Sequence, residues 1–250
     1  MAFNIITKNN YQDLSSYLGE QIIDKMKSNT KSLICLASGD TPLGAFKYIV
    51  DKFENKDLTN DNFVFVGLDE WVGMDKNDKG SCQEYMDEYL FNKLKISKNQ
   101  IVQFDAKSDD LKNECYKMDE YIFNNNGLDL VVLGIGMNGH LGLNEPNEDC
   151  NQYSHVVDLS ESTKEVAQKY FDNETKLEKG ITIGIRHFLE AKEVILVASG
   201  TRKAEIIKKI CDSDITESIP ATVLKKHNNV TLLLDKDSAK LLDEESTREL

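Results

Sequence analysis

"LDLVVLGIGMNGHLGLNEP", residues 128–146, joins an aliphatic run to a loop that holds four glycines and a proline. The run is continuously apolar rather than alternating, the pattern of a strand buried on both faces of a parallel sheet. Gly134, Gly136 and Gly139 also satisfy the spacing G-x-G-x-x-G, a weak signature of dinucleotide binding. Such a fold needs a crossover helix to begin at Gly139. Residues 140–154 read "HLGLNEPNEDCNQYS", where Gly142, Pro146 and further polar breakers prevent that helix. Asp158 lies at the distance the fingerprint asks, but without the helix its position is coincidence. No nicotinamide cofactor is expected, and the loop needs another explanation.

Aliphatic runs of strand length recur at "SLICLAS" (32–38), "NFVFVGL" (62–68), "EVILVAS" (193–199) and "NVTLLLD" (229–235). Between the runs lie segments with helical spacing, such as "YQDLSSYLGEQIIDKMKS", "TPLGAFKYIVDKF", "SCQEYMDEYLFNKL", "NECYKMDEYIFNNN" and "TRKAEIIKKICD". This alternation predicts an α/β fold: an open, doubly wound, mainly parallel sheet with helices on both faces. No Pro/Gly/Ser-rich linker, repeat or low-complexity tract divides the chain, so residues 1–250 read as one domain. The terminal "DSAKLLDEESTREL" reads as a charged helix or a fraying tail.

A chain of 250 residues, 40% hydrophobic and 29% charged, can bury a sizeable core, about 75% of its unfolded surface at this length. Its formal charge of -13 repels nucleic acids and anionic membranes, and no Lys/Arg cluster offsets it. The five cysteines are widely spaced with no C-x-x-C pair and read as free thiols in a reducing compartment. The N-terminal stretch has no basic start followed by an apolar run, and no segment reaches about 18 apolar residues. A cytoplasmic protein is expected, as a monomer or a homo-oligomer.

In open α/β sheets ligands bind beyond the carboxyl ends of the strands. After the first run, Ser38, Gly39, Asp40 and Thr41 form a small-residue turn with Pro42 at a favourable helix start. The turn is either a phosphate cradle built from N–H groups and hydroxyls, or an ordinary capped strand-to-helix turn. The second run ends at the adjacent carboxylates Asp69 and Glu70. On extended chain these point to opposite sides, so one can face a ligand while the other faces away or makes a structural contact; for Asp69 a helix or loop cap is the alternative. In the glycine-rich loop, Asn138, His140, Asn144 and Glu145 follow a buried strand. A carboxylate beside the imidazole would fix its tautomer and suit it to proton transfer; a solvent-facing or hydrogen-bonded structural histidine is the alternative. A metal held by His140, Glu145 and Asp69 is not expected, with one histidine and no thiolate nearby. Lys203 opposes the dipole of its helix, a placement that makes sense beside a bound anion; a solvated helix start is the alternative. Lys169 is a second candidate cation, and by itself a surface residue.

"ASGDTPLGAF", "FVGLDEWVG", "LGIGMNGHLGLNEP", "GITIGIRHFLEAKEVILVASGTRKA" and "IPATVL", in this order, resemble the glucosamine-6-phosphate deaminase family. The resemblance runs from about residue 30 to about residue 235, and "NGHLGLNEP" is its most specific part. "LDEWV", "GSC" at 80–82 and "HLGLNEP" look more like the galactosamine-6-phosphate deaminase/isomerase branch. The related 6-phosphogluconolactonases share the phosphate turn, but their histidine loop typically lacks "NEP". The resemblance implies a Rossmann-like fold of phosphosugar isomerase type and a cofactor-free conversion of an amino-sugar 6-phosphate and water to a ketohexose 6-phosphate and ammonia. By position, Asp69 matches the general base, His140 the ring-opening residue, and Glu145 its carboxylate partner. Asn138 stands where many glucosamine enzymes have Asp, so His140 should be less basic. Ser38, Gly39, Asp40, Thr41, Lys169 and Lys203 fall at phosphate-binding positions; position 169 is often Arg, and Lys keeps its charge but loses bidentate geometry. A lactonase and a non-catalytic phosphosugar-binding module are the alternative functions.

Overall fold

The computed structural model describes residues 3–53, 62–243 and 248–249. Its strands are β1 Asn4–Lys8, β2 Ser32–Leu36, β3 Phe63–Gly67, β4 Asp69–Trp71, β5 Ile101–Val102, β6 Leu130–Leu133, β7 His155–Asp158, β8 Lys179–Thr182, β9 Val194–Ala198, β10 Val230–Asp235 and β11 Arg248–Glu249. The α-helices are α1 Tyr11–Met26, α2 Asp40–Phe53, α3 Cys82–Met86, α4 Asn92–Leu94, α5 Leu111–Asn124, α6 Glu161–Ala167, α7 Ile185–Glu190, α8 Ala204–Asp212 and α9 Lys236–Ala239. A π-helical turn, Asp87–Phe91, joins α3 to α4.

Among the described residues eight strands form one sheet in the order β11-β1-β10-β9-β6-β2-β3-β5. Every pair in it is parallel. Alternate residues of each strand serve opposite faces, which is why the aliphatic runs have no polar interruptions. Ile34 and Leu36 of β2 pack with Leu14, Leu18 and Ile22 of α1 and Phe46 and Ile49 of α2. Leu33 and Cys35 face the other way, onto a core that includes Met118 and Ile122 of α5, Phe188 of α7 and Ile207 of α8. Local signals agree: Asn10 caps α1 by accepting a hydrogen bond from the Asp13 N–H at 2.9 Å, and Asp13 and Lys25 lie at the dipole ends that favour their charges.

From β2 the chain winds outward to β3 and β5, then returns to β6 on the other side of β2. The order therefore reverses between β2 and β6, the place where the carboxyl ends of an open sheet leave a crevice. A second sheet, antiparallel in the order β4-β8-β7, carries a small core of Trp71, Leu143, Val157, Leu159, Ala167 and Leu177. The sequence pattern did not announce this sheet, because its strands are short and carry Gly180 and polar residues. Nor did it announce β1, where only Ile6 and Thr7 are buried and the residues on either side are partly or fully exposed. Asp69 and Glu70 accordingly do not end a strand of the main sheet; they leave β3 and open β4. At the C-terminus α9 ends at Ala239 and β11 pairs with β1; residues 244–247 and 250 of the terminal charged segment lie outside the described residues. Among the described residues no helix is long and apolar enough to cross a membrane.

Phe46 is fully buried between α2 and the sheet, away from the strand ends. Phe46→Ala should lower the unfolding free energy by about 3–5 kcal/mol, read from urea denaturation with an unchanged slope. A loss below about 1 kcal/mol would contradict this packing.

Candidate active site

Four segments leave the carboxyl edge of the central sheet side by side: 37–41 after β2, Leu68 and Asp69 after β3, 134–146 after β6, and 199–203 after β9. They hold nine of the ten candidate residues. The tenth, Lys169, comes from the turn Gln168–Tyr170 that follows α6.

Asp69 and Glu70 diverge. Glu70 is completely buried and turns under the N-terminus of α3. Its Oε1 accepts hydrogen bonds from the N–H groups of Trp71 (2.8 Å) and Cys82 (3.0 Å), and its Oε2 from Gln83 (2.9 Å). Burial pushes its pKa up to about 7 against the pull of those N–H groups. Asp69 pairs with Thr182 of β8 and faces the histidine loop. A Cβ on Gly142 would stand 3.3 Å from Asp69 Oδ2 and 3.0 Å from Thr182 Oγ1, and Gly142 itself has φ +57°. Only glycine lets this loop lie so close to the carboxylate in that conformation. Burial raises the Asp69 pKa to about 6, and the neighbouring Cys82 side chain opposes that rise.

His140 lies over Gly136, where any Cβ would overlap the imidazole ring. Its Nδ1 is 3.9 Å from Glu145 Oε2 and 3.4 Å from the Thr163 hydroxyl. The buried Glu145 is held by Asn138, whose Nδ2 donates to Oε2 at 3.1 Å, and by the Ser160 N–H, which donates to Oε1 at 3.2 Å. Asn138 Oδ1 in turn accepts from the His140 N–H at 3.1 Å. Burial lowers the pKa of His140; the Glu145 carboxylate opposes that shift and the Lys203 ammonium adds to it. Neutral imidazole is the resting form near neutral pH.

In the small-residue turn, Gly39 has φ +107°, and its carbonyl accepts from the Tyr85 hydroxyl at 2.9 Å. The Tyr11 hydroxyl binds the carbonyls of Asp40 (2.8 Å) and Thr41 (3.1 Å) and accepts from the Gly44 N–H at 2.8 Å. These contacts fix the turn at the start of the 14-residue α2. Ser38 lines one small cavity with Asp69 and Cys82. Asp40 places its carboxylate on Lys169 Nζ at 2.6 Å, so its own N–H is the part that suits an anion. Lys203 ends the turn Thr201–Lys203 just before α8, rather than lying within the α-helix, and reaches back to donate to the Ile135 carbonyl at 2.6 Å. Burial and the nearby Lys169 ammonium depress its pKa. Among the described residues no three His, Cys, Asp or Glu side chains converge as a metal site.

Sequence reasoning did not single out Thr163, Ser160, Cys82 or Tyr170. Ser160 and Thr163 had a local signal: Ser160 caps α6 by accepting from the Thr163 N–H at 3.3 Å. Cys82 and Tyr170 had none, since their placement depends on how the 80–94 and 160–171 segments fold back over the sheet edge. Tyr170 Oη stands 3.0 Å from where a Cβ on Gly39 would be.

The His140 environment is open to titration. In a histidine-selective NMR experiment, the signal lost in His140→Ala should titrate below the ordinary value of about 6.5. Glu145→Gln should lower the midpoint further, by removing the charge that stabilises imidazolium. A midpoint above about 7 would contradict the burial of the ring.

Comparison with known proteins places this arrangement. The family described as glucosamine-6-phosphate isomerases/6-phosphogluconolactonase matches residues 7–233. A glucosamine-6-phosphate deaminase of Thermoanaerobacter sp. (strain X514) is 34% identical over 247 residues, covering 98% of each chain. A solved monomeric glucosamine-6-phosphate deaminase superposes with a TM-score of 0.91 at 30% identity, over 96% of this chain and 100% of the other. The 6-phosphogluconolactonase of Trypanosoma brucei shares the fold, with a TM-score of 0.73 at 20% identity, over 96% of this chain and 99% of the other. With full-length relatives above 30% identity on the deaminase side, the chain is an enzyme of the glucosamine-6-phosphate deaminase family.

Proposed function

We propose that the enzyme converts an amino-sugar 6-phosphate and water to a ketohexose 6-phosphate and ammonia, with galactosamine 6-phosphate preferred over glucosamine 6-phosphate. The observation that carries this reading is the approach of Asp69 to the histidine loop across Gly142, while Lys203 ties the same loop to the anion-binding side of the cleft through Ile135. A base, a proton-transfer residue and a phosphate anchor thereby share one crevice. The galactosamine preference draws support from "LDEWV", "GSC" and "HLGLNEP".

In this reading the N–H groups of Gly39, Asp40 and Thr41, the Ser38 hydroxyl and the ammonium groups of Lys169 and Lys203 hold the phosphate. Neutral His140, oriented by Glu145 and Asn138, accepts the proton of the anomeric hydroxyl and returns a proton to the ring oxygen, opening the sugar. Asp69 then takes the proton from C2 of the open chain and delivers it to C1, while a proton passes from the ammonium group to the carbonyl oxygen, leaving an alcohol at C1 and an imine at C2. Water attacks C2 of the resulting imine and ammonia departs, so no oxidant or metal enters the balance. A carboxylate with an ordinary pKa is a weak base for that carbon, and raising it to about 6 strengthens it without protonating it at neutral pH.

Parallel assays of ammonia release should give turnover on both amino sugars, with the larger kcat/KM on galactosamine 6-phosphate. No ammonia from either, together with acid release from 6-phosphogluconolactone, would overturn the reaction class; a larger value for glucosamine 6-phosphate would overturn the preference alone. Asp69→Asn should leave the circular dichroism spectrum unchanged and reduce turnover by about 10²–10⁴-fold. Because the raised pKa means the carboxylate is present above about 6 and lost below it, kcat/KM should fall as pH drops through about 6.

A further inference from the structure

We propose that Thr163 is the positioning residue that fixes the tautomer of His140: its side-chain oxygen accepts the Nδ1–H, which leaves on Nε2 the lone pair that takes up the sugar's proton. The inference deepens the reading of His140 as the proton-transfer residue and rests on it.

Thr163 Oγ1 lies 3.4 Å from His140 Nδ1, within hydrogen-bond reach, whereas Glu145 Oε2 at 3.9 Å lies beyond it. The hydroxyl, not the carboxylate, is the direct partner of the imidazole in the free enzyme. Thr163 is buried, and its side chain is placed by the start of α6. Ser160 Oγ donates to Thr163 Oγ1 at 3.0 Å and accepts from the Thr163 N–H at 3.3 Å. The same Ser160 gives its own N–H to Glu145 Oε1 at 3.2 Å. One helix cap therefore holds both of the groups that face Nδ1.

Charge gives the contact its direction. The Ser160 hydroxyl occupies one lone pair of Thr163 Oγ1, and the second remains for Nδ1–H. With the proton on Nε2 instead, the Nδ1 lone pair would face the Glu145 carboxylate, and the two negative ends would repel. The charged groups that bear on the ring are Glu145, from the same loop, and Lys203, from the turn before α8. The carboxylate favours a proton on the nearer nitrogen, and the ammonium opposes a second proton on the ring. A hydroxyl acceptor suits this balance better than a carboxylate in direct contact, because it selects the tautomer without stabilising imidazolium. His140 thus stays an uncharged base whose free nitrogen has a set place.

The test joins two readouts on the wild type, Thr163→Val, Thr163→Ala and Thr163→Ser: the nitrogen chemical shifts of the His140 ring, assigned by their loss in His140→Ala, and kinetics on the amino-sugar phosphates. Thermal unfolding accompanies each variant. In the neutral wild-type ring the proton should reside on Nδ1. Val and Ala both lack the hydroxyl but differ in volume; each should shift the ring toward a mixture of tautomers and lower kcat about 3–10-fold, the equivalent of one hydrogen bond. KM should stay within about twofold, because the phosphate contacts are untouched. Ser should restore both the tautomer and kcat. A wild-type ring protonated on Nε2 overturns the inference, as does a Val ring that keeps the wild-type tautomer. So does a loss confined to Ala, or one expressed in KM alone, either of which marks a packing role for α6. Full turnover by His140→Ala instead removes the proton-transfer reading, and an inactive His140→Ala with an unmoved Val tautomer removes only the role of Thr163.

Discussion

Parallel strands can be joined only by crossovers, and this constraint organises the molecule. Each strand of the main sheet runs the same way, so each exit lies on one edge. With both sheet faces covered by helices, that edge is where polar backbone and side chains can meet without crossing the core. The reversal of strand order between β2 and β6 opens the edge at its middle, and the turn at 38–41 and the loop at 134–146 flank that opening. Chemistry is concentrated there because the topology leaves few other places for it.

Space, more than charge, decides which residues the crevice accepts. Gly136 yields its Cβ position to the His140 ring, Gly142 admits the Asp69 carboxylate and Thr182 hydroxyl, and Gly39 leaves room for the Tyr170 hydroxyl. Glycine weakens a fold by enlarging the entropy of the unfolded chain. A run of glycines at one sheet edge is therefore explicable by close approach, as at Gly136, and by positive φ, as at Gly39 and Gly142. Within the weak dinucleotide spacing, Gly136 and Gly139 follow from the same need for room, since a Cβ there would meet the His140 ring and Ile219 respectively.

Much of this was legible in the sequence, for identifiable reasons. Strands such as β2, β6 and β9 announce themselves because burial on both faces demands unbroken apolarity, and the candidate residues fall where those runs end. The antiparallel sheet was not legible, because His155–Asp158 and Lys179–Thr182 are short and the core they cover includes Trp71 and Leu143, distant in sequence from β8. The clamp at α3 was equally hidden. Glu70 looks like any exposed acid in "LDEWVG" until the chain folds residues 82 and 83 over it.

An acidic protein that handles an anion must create positive potential locally, and the means here is burial as much as number. Lys169 is partly neutralised by Asp40. Lys203 has no such carboxylate within ion-pair distance among the described residues and donates to a carbonyl instead. Its depressed pKa is the sign of an ammonium held at some energetic disadvantage in the free enzyme. In the proposed reading an arriving dianion would relieve that disadvantage and compete with Asp40 for Lys169. Binding therefore gains from the discomfort of the empty cleft, and a net charge of -13 outside it does not prevent the site from attracting a phosphate within the screening length of about 8 Å at physiological salt. The same burial that destabilises the Lys203 ammonium raises Asp69 and lowers His140. One desolvated crevice thus shifts Lys203, Asp69 and His140 together, each in the direction the proposed reaction needs.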